Sequence, residues 1–114
     1  MTPGEARTAE EKALDAKVLE RVEKGFTKLQ ERWGSAWKEK VDETILDLRS
    51  VYLCPLGQLY RRQADVEGST GFYVGIRDLG VSDDPAAYGF DIHDDYREWQ
   101  VLEDAWIQII HRSS

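Results

Sequence analysis

Residues 9–33 read AEEKALDAKVLERVEKGFTKLQERW, and this stretch decides the fold class. Leu19, Val22, Phe26, Leu29 and Trp33 recur at intervals of three and four, which puts them on one helical face. Lys and Glu residues cover the other side. Thr8-Ala9-Glu10-Glu11 has the form of a capping box, with the Thr8 hydroxyl accepting from a free amide and Glu11 reaching back. Gly34 supplies the left-handed stop. A helix over 9–33 is about 37 Å long at a rise of ~1.5 Å per residue. A compact domain of this size has a radius of gyration of only about 13 Å. Either the helix spans the domain or its first turns project beyond it. Residues 1–8 are expected to form a flexible N-terminus, and 9–112 a single helical domain.

The remaining chain carries shorter signals of the same kind. Ser35 can cap a second helix in which Trp37 and Val41 share a face. Ile45 to Leu48 follow as helical tail or extended link. Pro55 fits the first turn of a helix, which predicts a helix from about Leu53 to Gln63 with Leu56, Leu59 and Tyr60 inward. Residues 64–71 are polar and glycine-bearing, and read as a loop. Phe72, Val74, Ile76 and Leu79 fit a strand at the start and a helix over the whole; Gly80 as a stop favours the helix. Asp84-Pro85 starts a single turn that Gly89 ends. Asp95-Tyr96-Arg97-Glu98 opens the last helix, where Trp99, Leu102, Trp106 and Ile109 form a stripe, widened by Ala105 and Ile110, and Arg112 faces the negative end of its dipole. The fold class is mainly α: a small irregular helical domain with a long N-terminal helix and an amphipathic C-terminal one.

Composition narrows the function classes. At 114 residues with 41% apolar and 32% charged side chains, the chain is globular and large enough for its own core. One cysteine, Cys54, permits no intrachain disulfide and suits a reducing compartment. With no basic-then-apolar leader and no apolar run near the ~20 residues a bilayer demands, a cytoplasmic protein without membrane attachment is expected. The net charge is −7, and residues 81–114 hold eight acids against two bases. Such a surface is repelled by phosphates, so direct nucleic-acid binding is not expected.

No catalytic, metal or cofactor pattern emerges. His93 stands among Asp91, Asp94 and Asp95, but His111 is the only other histidine and calcium-loop spacing is absent. Cys54 falls at a helix start, where a thiol pKa drops, yet it lies in the apolar run Val51–Leu56 and reads as a small buried hydrophobe. Gly68, Gly71, Gly75 and Gly80 lack the spacing and the Lys-Ser/Thr of a phosphate loop. Trp33, Trp99 and Trp106 belong to apolar stripes and read as core, whereas Trp37 and Phe72 flank polar or glycine-rich stretches and read as partner anchors.

Four segments in order carry a resemblance: Trp37…Val41-Asp42…Leu46-Asp47-Leu48, Cys54-Pro55-Leu56-Gly57-Gln58-Leu59-Tyr60, Tyr88-Gly89-Phe90-Asp91, and Leu102…Trp106…Ile110. Over residues 33–112 the chain resembles small uncharacterised proteins of actinobacteria and their phages, with a Cys-x-Leu-Gly-Gln-Leu segment and a Gly-Phe before a Trp-containing last helix. Pro55 and the longer loop between Tyr60 and Phe72 depart from that pattern. The resemblance implies a helical domain from a phage context and no enzymatic activity.

Together these readings lead to an acidic accessory protein that binds and modulates a host protein, with anti-defence inhibition by nucleic-acid mimicry as one form. The expected partner-binding residues are Asp83, Asp84, Asp91, Asp94, Asp95, Glu98, Trp37 and Phe72. No catalytic residue, metal or cofactor is expected. The alternative is a regulatory module that forms a homodimer through the 9–33 helix.

Overall fold

The structure, a computed structural model, describes residues 9–93 and 95–111. The 1–8 segment, Thr8 of the capping box, Asp94 and Arg112 lie outside them. Five α-helices run in the order α1 (Ala9–Trp33), α2 (Pro55–Leu59), α3 (Arg61–Glu67), α4 (Gly71–Leu79) and α5 (Glu98–His111). Tight 3-10 turns at Ser35–Lys40, Glu43–Ile45 and Pro85–Tyr88 connect them, and no strand occurs among the described residues. The fold is mainly α with a long N-terminal helix, as the residue spacing of 9–33 requires.

The first two turns of α1 bury nothing completely; its fully enclosed residues begin at Val18 and continue through Val22, Gly25 and Leu29. Leu14 and Leu19 pack against the core from its margin, in a molecule measuring 50 × 32 × 23 Å. From Val18 onward α1 is the axis on which α5 and the 85–90 segment pack. Leu102, Trp106 and Ile109 of α5 have no exposed surface, and Ala105 fills the gap between them. Trp37 closes this core from the Ser35–Lys40 turn. Its indole meets Trp106 edge-on at 6.1 Å, Phe90 stacks on Trp106 at 5.4 Å, and both indole N–H groups are satisfied. Trp37 Nε1 donates to Gln30 Oε1 (2.7 Å) and Trp106 Nε1 to the Gly89 carbonyl (2.7 Å), as buried indoles require.

Trp37 is therefore not a partner anchor. The polar residues around it in sequence belong to a turn that points the ring inward. By contrast Trp33 and Trp99, grouped with the core by their stripes, are only half-buried at its margin.

Two close crossings depend on glycine. Gly25 sits in mid-helix where α1 meets the Pro85–Tyr88 turn, and a Cβ there would strike the Tyr88 carbonyl oxygen. Gly71 meets Gly57 in the same way, bringing α4 onto α2, and Gly75 presses on Leu56 and Tyr60. The segment expected as one helix over 53–63 divides. Cys54 caps α2, accepting from Gly57 N through its sulfur; the helix breaks at Tyr60, and α3 continues to Glu67. Residues 64–67 are thus helical rather than loop, because Ala64 is buried and Gly68 provides the left-handed stop. Thr70 then caps α4, and the helical reading of 72–79 holds.

Replacing Gly25 by Ala is expected to destabilise the fold by about 3 kcal/mol, near the upper end of ordinary overpacking, because the obstacle is backbone. A urea denaturation midpoint equal to that of the native chain would show that α1 and the turn are not in contact.

Candidate protein-binding site

The acids before α5 separate once their partners are traced. Glu98 is enclosed, its side chain 6% exposed, and receives Arg21 Nη2 at 2.6 Å from a guanidinium 12% exposed. Arg21 also donates from Nε to the Ala86 carbonyl (2.7 Å) and from Nη2 to the Asp91 carbonyl (3.0 Å). Glu98 does not bond back to Asp95 at the start of α5. Its Oε1 instead accepts from the His93 amide at 3.3 Å, while Asp95 accepts from the Arg97 amide. Glu98 is therefore removed from the binding surface.

Asp95 is engaged as well. Arg97 lies 2.7 Å from its Oδ2 and also approaches Glu10 of α1 at 3.4 Å. The Arg97 guanidinium, with the Arg97 backbone amide, holds the Asp95 carboxyl below its ordinary pKa. A carboxyl depressed on folding favours the native state above its unfolded value of roughly 4 and loses that contribution as pH falls below it. Asp84 caps the Pro85–Tyr88 turn through Ala87 N, with His93 Nε2 3.7 Å away. Asp91 accepts from the Ile92 amide. Asp83 is exposed. Asp83, Asp84 and Asp91 thus remain as the outward carboxylates of the expected set, around the approach to α5.

Beside Asp91 the surface is aromatic. Phe72, half-buried, stands edge-on to Tyr73 at 5.7 Å, and with Trp99, Val51 and Arg49 they surround a cleft of about 230 Å³. An adjoining hollow of about 300 Å³ shares Leu48, Arg49 and Trp99, and is bordered by Tyr96 and Glu103. Tyr73 is 60% exposed and Tyr96 82%. Tyr52, 65% exposed, follows Val51 in sequence but lines a separate hollow with Leu53, Gly57 and Arg61. The Val51 loop is fastened by the Phe72 amide, which donates to the Val51 carbonyl, and by Ser50 Oγ, which accepts from Tyr52 and Leu53 amides.

Phe72 and Asp91 are the two expected residues that the fold brings together at this cleft. Tyr73, Tyr96 and Trp99 were not anticipated. Their signal is weak in sequence, because a tyrosine outside an apolar stripe looks the same on any face. Arg21 had a clearer one: it stands three residues after Val18 and four before Gly25, on the edge of the buried stripe.

Burial pushes the Cys54 thiol up to about 11, and its sulfur serves as a helix cap. No group of three or more His, Cys, Asp or Glu side chains converges among the described residues, and no described helix is long and apolar enough to cross a membrane. His111 lies 2.6 Å from Glu43 Oε2, joining the end of α5 to the Glu43–Ile45 turn. Comparisons with family models, curated proteins and solved structures found no match.

Changing Arg21 to Met strands the Glu98 carboxylate and is expected to destabilise the protein by about 3–5 kcal/mol. The double variant Arg21→Met/Glu98→Leu should recover most of that in urea denaturation. Equal losses in the single and double variants would mean the pair contributes shape alone. In the native protein at pH 8 the Cys54 thiol should react with a thiol reagent only as fast as the fold opens. Immediate labelling would contradict its burial.

Proposed function

We propose that the chain is a non-catalytic binding module that docks its aromatic cleft onto another protein, a host protein in the setting its sequence resemblance implies. The observation that carries this reading is the exposure of Tyr73 and Tyr96 beside the half-buried Phe72 and Trp99. Large rings with a polar tip cover much area with few torsions to freeze, which is why tyrosine and tryptophan dominate the energetic centres of interfaces. Arg49, 70% exposed at its side chain, shares this composition.

Charge defines the partner's border. Asp91 lines the cleft and Glu103 the adjoining hollow, with Arg49 and Arg97 beside them, in a chain of net charge −7. The complementary surface is apolar at its centre and carries Lys or Arg at its rim, which accelerates encounter and makes it salt-sensitive. Nucleic-acid mimicry draws less support, since Glu98 and Asp95 are occupied by Arg21 and Arg97. An anti-defence inhibitor acting through the aromatic cleft fits the same reading. A homodimer is the second reading, favoured by a groove of about 490 Å³ where Ala16 and Leu19 of α1 face Val101 and Ala105 of α5.

Affinity capture from host lysate with the full-length chain, followed by salt titration, tests the proposal. A single partner should be retained, and Tyr73→Ala or Tyr96→Ala should weaken it about tenfold or more. Asp91→Asn should flatten the salt dependence. Capture that both tyrosine variants leave intact would contradict the assignment of the cleft. A concentration-dependent dimer in sedimentation, abolished by Leu19→Glu, would favour the second reading.

A further inference from the structure

A second cleft, of about 540 Å³, lies where the end of α1 meets α2 and α3. Its walls are the Trp33 indole, Leu59, Tyr60, Val66 and Gln63, whose amide already donates to Glu67 Oε2 (2.9 Å), and Lys40 and Arg62 line it as well. Val66 is 84% exposed, an unusual position for a branched apolar side chain in a helix. The polar atoms of the floor are already satisfied: Trp33 Nε1 donates to Tyr60 Oη (3.1 Å), and Tyr60 Oη donates to Asp78 Oδ2 (2.7 Å). Arg32 completes that network, at 2.8 Å from the same Asp78 oxygen. What the floor offers a ligand is therefore carbon.

The same cleft offers positive charge. Lys40 Nζ stands 5.3 Å from the Trp33 ring centroid. Among the described residues, neither Lys40 nor Arg62 has a carboxylate within ion-pair distance. In an acidic protein whose Arg21, Arg32, Arg77 and Arg97 are all paired, two unneutralised cations beside an open apolar wall form a distinct arrangement. A neutral apolar molecule would leave the cations unanswered, and a small polar anion would leave the wall wet. One ligand class meets both demands, an apolar chain or ring that ends in a carboxylate.

We propose that this cleft binds a small amphipathic carboxylate, its apolar body against Trp33, Leu59 and Val66 and its carboxylate between Lys40 and Arg62. The site is independent of the protein-docking cleft.

The test is a titration of the full-length, nitrogen-15-labelled protein with sodium decanoate below its micelle concentration, followed by amide and indole resonances. Saturable shifts should centre on Trp33, Lys40 and residues 59–66, and sodium butyrate should bind far more weakly. Because the altered side chains are exposed, the Lys40→Gln/Arg62→Gln variant should keep its fold. It should bind decanoate about tenfold more weakly or worse, as expected for loss of charge-assisted hydrogen bonds. Val66→Asp should weaken binding as well. The proposal is overturned by non-saturating shifts, by equal affinity for butyrate, or by undiminished binding in the double variant. It is also overturned if the protein co-sediments with phosphatidylglycerol vesicles while decanoate gives no shift, since the ligand would then be a lipid surface.

Discussion

The guanidinium of Arg21 ties together three parts of the chain that are far apart in sequence. From α1 it reaches the Ala86 and Asp91 carbonyls and the Glu98 carboxylate at the start of α5. A buried charge pair gains little net free energy over a hydrophobic pair of the same shape, because both ions leave water. Its force lies in what it forbids. Any register in which α5 or the 85–91 segment shifts along α1 leaves a charge enclosed without a partner. Together with the buried Trp106 indole bond to the Gly89 carbonyl, Arg21 fixes the position of α5, and with it Trp99 and Tyr96.

That constraint works with two features of the backbone. Gly25, one turn further along α1, lets the Pro85–Tyr88 turn approach until its carbonyl touches the helix, and Gly89 returns the contact against Val22. The turn then places Phe90 on Trp106, and Trp106 donates to the Gly89 carbonyl. Gly57 and Gly71 do the equivalent for α2 and α4, and their approach sets Phe72 and Tyr73 beside the Val51 loop. The aromatic cleft is formed by the meeting of these two glycine-dependent units, with Leu48 and Arg49 between them.

Much of this was legible in the sequence. The end of α1 follows from apolar spacing and Gly34, α4 from the stop at Gly80, and the 85–88 turn from Asp84-Pro85 and Gly89. The break at Tyr60 was not, because it comes from packing: Tyr60 is held by Trp33 and Asp78, distant in sequence. The surroundings of the expected site residues were less readable still. Glu98 and Asp95 look like any acids before a helix until Arg21 and Arg97 are seen beside them. Trp37 sits among lysines and a glutamate, yet it is the centre of the core, since a 3-10 turn changes the face that a local pattern implies. The cleft combines residues from four segments, and no single window contains it.

Through Arg21, α1, the 86–91 segment and α5 form one cooperative unit. Native-state hydrogen exchange tests it most directly. Amides of Val22 to Leu29 and of Leu102 to Ile109 are expected to exchange through the same opening, with equal free energies near that of global unfolding, while α3 opens at lower free energy. Exchange of the α5 amides through an opening well below that of α1 would contradict it.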